Sequence, residues 1–229
     1  MSTSWIDIQP GFAGYLALPP AGSGPGLVLW QEIFGVNPHI RAVAEQYALD
    51  GFVVLAPDVF WRQAPRVELG YGPEDRPRAL ALMKAYADQH ALADVAASVA
   101  VLRARPEVNG HKLGSFGYCM GGRMAYLSAA TARIDAAVAF YGGGIHNQLE
   151  RAAGIAGPVQ FHYAAIDDNI PAAAVESVRA AMAGKQAEIH VYPGAMHGFN
   201  CWARASYHAP SAALAHGRAL TFLAQHLLG

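Results

Sequence analysis

The sequence predicts an α/β protein, a single domain of three α/β/α layers around a largely parallel sheet, and three observations carry that prediction. Short strand-like runs recur along the chain: Gly26 to Trp30, Phe52 to Ala56, His111 to Ser115, Ala136 to Tyr141, Val159 to Tyr163 and Glu188 to Tyr192. Most are continuously apolar, as strands covered on both faces are. Segments with helical spacing lie between them, and such alternation is joined by right-handed crossovers into a parallel sheet. Finally, 229 residues with 53% hydrophobic content suffice for one sizeable core. No repeat, low-complexity tract or linker divides residues 1–229.

Taken in order, Phe12 to Leu18 reads as an edge strand, approached through Asp7 to Gly11 and closed by Pro19-Pro20 and the turn Gly22-Ser23-Gly24. Polar Gln31-Glu32 follows the Gly26–Trp30 strand at once. Helical spacing then runs through Ile40, Val43, Ala44 and Tyr47 to a stop at Asp50-Gly51. Pro57-Asp58 closes the next strand. Trp61 to Pro77 has glycines, prolines and charges without a period, an excursion of the kind that covers or lines a site. Ala79 to about Arg103 is helical, with a break near Asp88-Gln89-His90, and a further helix spans about Met120 to Ala130. Gly142-Gly143-Gly144 ends the Ala136–Tyr141 strand. A helix follows Pro171, which suits its first helical position. The last strand stops at Pro193-Gly194, and a final helix covers about His208 to Leu227.

Composition excludes several classes. Sixteen basic against 17 acidic residues give a net charge near −1. No basic tract supplies the phosphate-neutralising footprint of a nucleic-acid binder. Two cysteines, Cys119 and Cys201, stand outside any C-x-x-C arrangement, which suits free thiols in a reducing compartment. The N-terminus lacks the regions of a signal peptide, and no apolar run reaches membrane-spanning length. The expectation is a cytoplasmic protein, a monomer or small homo-oligomer, with neither nucleic acid nor membrane as partner. Ten histidines invite a metal reading, but none forms an H-x-x-x-H pair or a His/Cys cluster with ligand spacing. His39, His90, His111, His190 and His208 read as surface or structural, while His146 and His162, near strand ends, are possible pocket residues. Neither a dinucleotide fingerprint nor a phosphate loop is present, so no cofactor and no metal is expected.

The chemistry concentrates at Gly117-Tyr118-Cys119-Met120-Gly121-Gly122. A cysteine with glycines two residues to either side, between a strand-like and a helix-like run, is the nucleophile-elbow pattern G-x-S-x-G of α/β-hydrolases with cysteine for serine. The glycines are required because a sharp strand-to-helix turn crowds the flanking backbone. In open parallel sheets chemistry gathers at the carboxyl ends of strands. That rule singles out Glu32, Cys119, Asp167 with Asp168, and His197, in the order nucleophile, acid, histidine. An imidazole reaching the thiol through one nitrogen, with a carboxylate on the other, is the arrangement of covalent catalysis.

At these residues the chain resembles the dienelactone hydrolase (carboxymethylenebutenolidase) family, α/β-hydrolases with a cysteine nucleophile. The matching stretches are Gln31 to Gly35 with Asn37, Ala56-Pro57-Asp58, Gly117 to Gly122, Asp167 to Pro171, and Tyr192 to Phe199. The resemblance implies that Cys119 attacks a small lactone or ester carbonyl and that His197 is the base. It implies Asp167, through the D-x-x-[IV]-P pattern, as the acid rather than Asp168. It also implies that Glu32 interacts with Cys119 and helps to deprotonate it when substrate arrives, and that no cofactor is used. Backbone N–H groups of Met120 and Ile33 are the expected oxyanion donors. Family members hold a substrate carboxylate with arginines. One aligns loosely with Arg76, whereas the other falls at Cys201, with Arg204 nearby but offset. Tyr118, Phe34, Tyr71 and Trp202 are candidates for an apolar pocket. The alternatives are a broader carboxylesterase or thioesterase, and an α/β binding protein without activity.

Overall fold

Strands buried on both faces need helices above and below them. The computed structural model, which describes residues 1–229, has that arrangement. The strands are β1 (Ser2–Gln9), β2 (Phe12–Leu18), β3 (Gly26–Trp30), β4 (Val53–Pro57), β5 (Leu113–Tyr118), β6 (Ala136–Phe140), β7 (Val159–Ile166) and β8 (Ala187–Met196). They form one eight-stranded sheet in the order β1-β2-β4-β3-β5-β6-β7-β8. The pairs β1–β2 and β2–β4 are antiparallel, and every other pairing is parallel. The helices are α1 (Pro38–Leu49), α2 (Arg76–Ala85), α3 (Asp88–Ala104), α4 (Met120–Thr131), α5 (Ala172–Ala181) and α6 (Ala209–Leu227). None of them is long and apolar enough to cross a membrane.

Alternation along β5 assigns the layers. Neighbouring side chains point to opposite faces of a strand. Ser115 meets the Trp30 indole, which also reaches Ser128 of α4, while Phe116 packs on Tyr47 of α1 at 4.4 Å between ring centroids. Tyr47 in turn stacks edge-on with His216 of α6. Thus α4 lies on one face, and α1 with α6 on the other. All residues of β3, β4, β5 and β6 are buried, as continuous apolar runs require.

Several boundaries differ from the sequence reading, among them the elbow strand, which runs Leu113–Tyr118 rather than His111 to Ser115. Phe12–Leu18 is not the edge strand, because β1 pairs outside it from Ser2↔Leu18 onward. Only Ile8 of β1 is buried, so the strand carries no apolar run to announce it. The helical segment begins at Arg76 and breaks at Tyr86-Ala87, earlier than expected. Pro171 is the N-cap of α5, one position before the first helical residue. Finally, β8 continues through Pro193 and Gly194 to Met196, bonded along its inner side to β7. An edge strand tolerates proline because its outer N–H has no partner to lose. The Trp61–Pro77 excursion is anchored by Asp94 of α3, a fully buried carboxylate that takes two bonds from Arg62 (2.8 and 2.9 Å) and one from Tyr86.

Candidate active site

Cys119 stands between the last residue of β5 and the first of α4, with φ 57° and ψ −117°. For a side chain other than glycine this costs on the order of 1–3 kcal/mol and persists only where the surroundings enforce it. They do so here. The Cys119 N–H is bonded to Phe140 O at 3.0 Å, and its carbonyl accepts from Gly122 N at 3.0 Å. A Cβ on Gly121 would strike the Trp30 and Gln31 carbonyls, and one on Gly117 would strike Gly121 and Trp30. Beneath the turn, Trp30 Nε1 donates to Ser115 Oγ (2.8 Å) and Ser128 Oγ (3.1 Å), tying β3, β5 and α4 together. Met120 is the first helical residue, so its N–H has no acceptor within the helix.

His197 follows the end of β8 and Asp167 follows the end of β7, neighbouring strands whose carboxyl ends bring the two together. His197 Nδ1 lies 2.8 Å from Asp167 Oδ2, and the Asp167 side chain is fully buried. Asp167 Oδ1 accepts from Asn169 N at 2.9 Å, which fixes the carboxylate. Asp168, one residue on, is exposed and faces the cleft instead. Burial works against a charge on His197, but Cys119 and Asp167 beside it outweigh burial and raise its pKa to about 10. The ring of Tyr141 packs edge-on against the imidazole at 5.1 Å. Tyr141 has φ 37° and is fully buried with no partner for its hydroxyl. Sequence reasoning passed over it as the end of an apolar strand.

Glu32, at the carboxyl side of β3, is buried and its Oε1 accepts from Arg204 Nη1 at 2.9 Å, while Oε2 has no hydrogen-bond partner. Arg204 reaches it by folding back over Gly198, where a Cβ would strike the guanidinium. Burial opposes the charge on Arg204, yet Glu32 holds it protonated. The guanidinium therefore lies in the cleft despite its offset in sequence. Cys201 does not line the cleft. It is fully buried, and burial followed by the nearby Glu32 charge pushes its thiol pKa up to about 12. His39, expected at the surface or in a structural role, is buried beside it, and burial with Arg204 lowers its pKa to about 4.

A cleft of about 680 Å³ opens over Cys119 and His197. Ile33 and Met120 border it next to the thiol, and Tyr71, Leu80, Met83 and Tyr86 form an apolar wall. Arg76, Arg123 and Arg204 bring three positive charges to its lining. Arg123 escaped the sequence reading, although it sits one helical turn beyond Cys119. A second groove of about 500 Å³, between β8 and α6, contains no nucleophile.

Several expected pocket residues are elsewhere. Tyr118 is buried among Phe116, Phe140 and Tyr141 because the residue before the elbow points into the core. Phe34 is buried behind Tyr71 at 4.6 Å, supporting the wall rather than forming it. Trp202 is half exposed and covers the His39 ring at 4.2 Å. His162 is sealed in the core between Tyr192 and Gln160, and His146 stands outside the cleft. Two further arginines of the Trp61–Pro77 excursion do not line the cleft: Arg62 is committed to Asp94, and Arg66 lies over the Trp5 ring.

The sequence and fold have close counterparts. The family model described as the dienelactone hydrolase family matches residues 12–227. A carboxymethylenebutenolidase of Pseudomonas putida is 34% identical over 232 residues, covering 98% of this chain and 97% of that protein. The carboxymethylenebutenolidase of Pseudomonas sp. (strain P51) is 38% identical over 207 residues, covering 88% and 84%. Among solved structures, a candidate dienelactone hydrolase of Klebsiella pneumoniae subsp. pneumoniae superimposes with a TM-score of 0.84 at 32% identity, covering 98% of each chain. A dienelactone hydrolase-like promiscuous phosphotriesterase from metagenomic libraries shares the fold, with a TM-score of 0.83 at 22% identity and coverage of 99% of this chain and 98% of that one. With a matching family model along nearly its whole length and relatives above 30% identity, the chain is a hydrolase of esters or lactones and belongs to the dienelactone hydrolase family.

Proposed function

We propose that this enzyme opens a small carboxylated lactone of the dienelactone type through an acyl-cysteine. The observation that carries the reading is the strained Cys119 sharing one cleft with the 2.8 Å His197–Asp167 pair. The Cys119 thiolate attacks the lactone carbonyl carbon, forming an S–C bond and an oxyanion held by the N–H groups of Met120 and Ile33. Collapse breaks the ring C–O bond, and His197 gives its proton to the leaving oxygen. His197 then takes a proton from water, whose oxygen attacks the thioester, and the thiolate departs. Asp167 keeps the imidazole in the required orientation throughout. Glu32, whose Oε2 is unpartnered, accepts the Cys119 proton once substrate displaces Arg204 from Oε1.

Substrate class follows from the arginines. A carboxylate in a partly desolvated cleft is costly unless paired, and a guanidinium satisfies it through two aligned donors. Arg204 replaces the arginine expected at Cys201, with Arg76 and Arg123 as further partners. The test is kcat/KM for a carboxylated lactone and for its methyl ester. The acid should be preferred, and Arg204→Ala should reduce that preference more than Arg76→Ala does. Equal use of both substrates, unchanged in either variant, would favour a broad carboxylesterase instead. For the nucleophile, Cys119→Ala should abolish turnover, and intact-protein mass during reaction should show an acyl adduct on wild type only. Persistent activity in Cys119→Ala would remove the proposal.

A further inference from the structure

Behind the Arg204–Glu32 pair, three side chains from distant parts of the chain converge. A carboxylate oxygen of Glu32, a ring nitrogen of His39 and the sulfur of Cys201 lie within 4.8 Å of one another. Their exposures are 1%, 4% and 0%, so this is a built interior site rather than a surface coincidence. Two of its members are incompletely satisfied: Glu32 Oε2 and His39 Nε2 are buried without any hydrogen-bond partner. Buried polar atoms are nearly always paired, and an orphan calls for an explanation. The hydrolytic role assigned to Glu32 accounts for one orphan but leaves His39 and Cys201 idle. Nothing in the spacing of these three residues announces the cluster, because they have none of the short separations that mark ligand motifs.

We propose that Glu32, His39 and Cys201 form a binding site for a thiophilic divalent cation, Zn²⁺ foremost. One oxygen, one nitrogen and one sulfur is a set that suits zinc, whereas calcium and magnesium take oxygen ligands alone. Zinc bonds of about 2.0–2.3 Å place tetrahedral ligands roughly 3.5 Å apart, so donors that lie within 4.8 Å of one another close by up to about 1.3 Å on binding. Arg204 remains on Oε1 while the cation takes Oε2. In the binding step Zn–O, Zn–N and Zn–S bonds replace zinc-bound waters, the Cys201 proton passes to solvent, and no group is oxidised or reduced. A water completes the fourth position. The site uses neither Cys119 nor His197, but it shares Glu32 with the hydrolytic reading, so a bound cation would compete with the proton transfer assigned to that carboxylate, and the cobalt experiment below reads binding without turnover.

The chain has two cysteines, which makes a clean experiment available. In the Cys119→Ala protein, freed of metal and titrated with Co²⁺, any thiolate-to-cobalt charge-transfer band must come from Cys201. That band should appear, disappear on addition of Zn²⁺, and be absent when Cys201→Ser is added. Introducing His39→Gln should weaken cobalt binding at least about tenfold, as expected for loss of one ligand. Arg204→Gln, which removes the opposing charge, should tighten it severalfold. A folded Cys119→Ala protein with no band at millimolar Co²⁺ overturns the proposal. So does a band whose midpoint moves in neither His39→Gln nor Arg204→Gln. Those two variants decide the matter should the Cys201→Ser protein fail to fold by circular dichroism.

Discussion

His197 is the residue whose neighbours most change its chemistry. Burial alone would favour the neutral ring, but the adjacent thiol and the Asp167 carboxylate raise its pKa from 6.5 to about 10. Because the folded value lies above the unfolded one, its contribution to stability is complete below about pH 6.5 and is lost as pH rises through about 10. The melting temperature of wild type should therefore fall more steeply across that window than that of His197→Gln. Parallel slopes in thermal unfolding at pH 6, 8 and 10 would contradict the assignment. Cys119 contributes the largest of the raising effects, so imidazole titration by NMR should find a lower His197 pKa in Cys119→Ala. Asp167→Asn should lower kcat by at least roughly a hundredfold, as for other triad acids, and exposed Asp168→Asn far less. A reversed ranking would show that Asp168 is the orienting acid. At this scale the sequence was informative where chemistry demands a particular spacing. Cys119, Asp167 and His197 sit in recognisable strand-end motifs, whereas Arg204 and Tyr141 depend on how loops fold back, which spacing does not encode.

Among elements, the junction of β5 with α4 is the most constrained. The helix starts directly at the strand end, and its first turn runs against the Trp30 and Gln31 carbonyls. Gly121→Ala should push α4 off β3, destabilising the fold by about 1–3 kcal/mol, as overpacking does. Activity should fall further than stability, because the same shift moves Cys119. Trp30→Phe tests the polar tie beneath the turn: losing the indole N–H leaves buried Ser115 without its donor, a cost of about 1–3 kcal/mol. An unchanged urea midpoint for Trp30→Phe would show that the tie contributes nothing. The junction was legible because glycine spacing and apolar runs both report on it. β1 was not, since only Ile8 of its eight residues is buried and the polar residues Ser2 to Ser4 begin it, so no continuous apolar run announces the strand.

For the whole molecule, strand order places Cys119 near the centre of the sheet and the acid and histidine on successive strands toward one edge. That order followed from the alternation of strands and helices only in class, since alternation does not say which strands are neighbours. The two edge strands of this sheet differ in character. At one edge, β1 lies antiparallel on β2 and covers the backbone groups of a strand that is mostly buried. At the other, β8 carries Pro193, which offers no N–H, and Gly194 at φ 75° bends the chain. The consequence concerns solubility. No residue of β1 lines the cleft, so a chain begun at Phe12 should retain turnover per folded molecule. Stripped of its cover, however, β2 would offer a free hydrophobic pairing edge, and the shortened protein should self-associate with rising concentration, as light scattering would record.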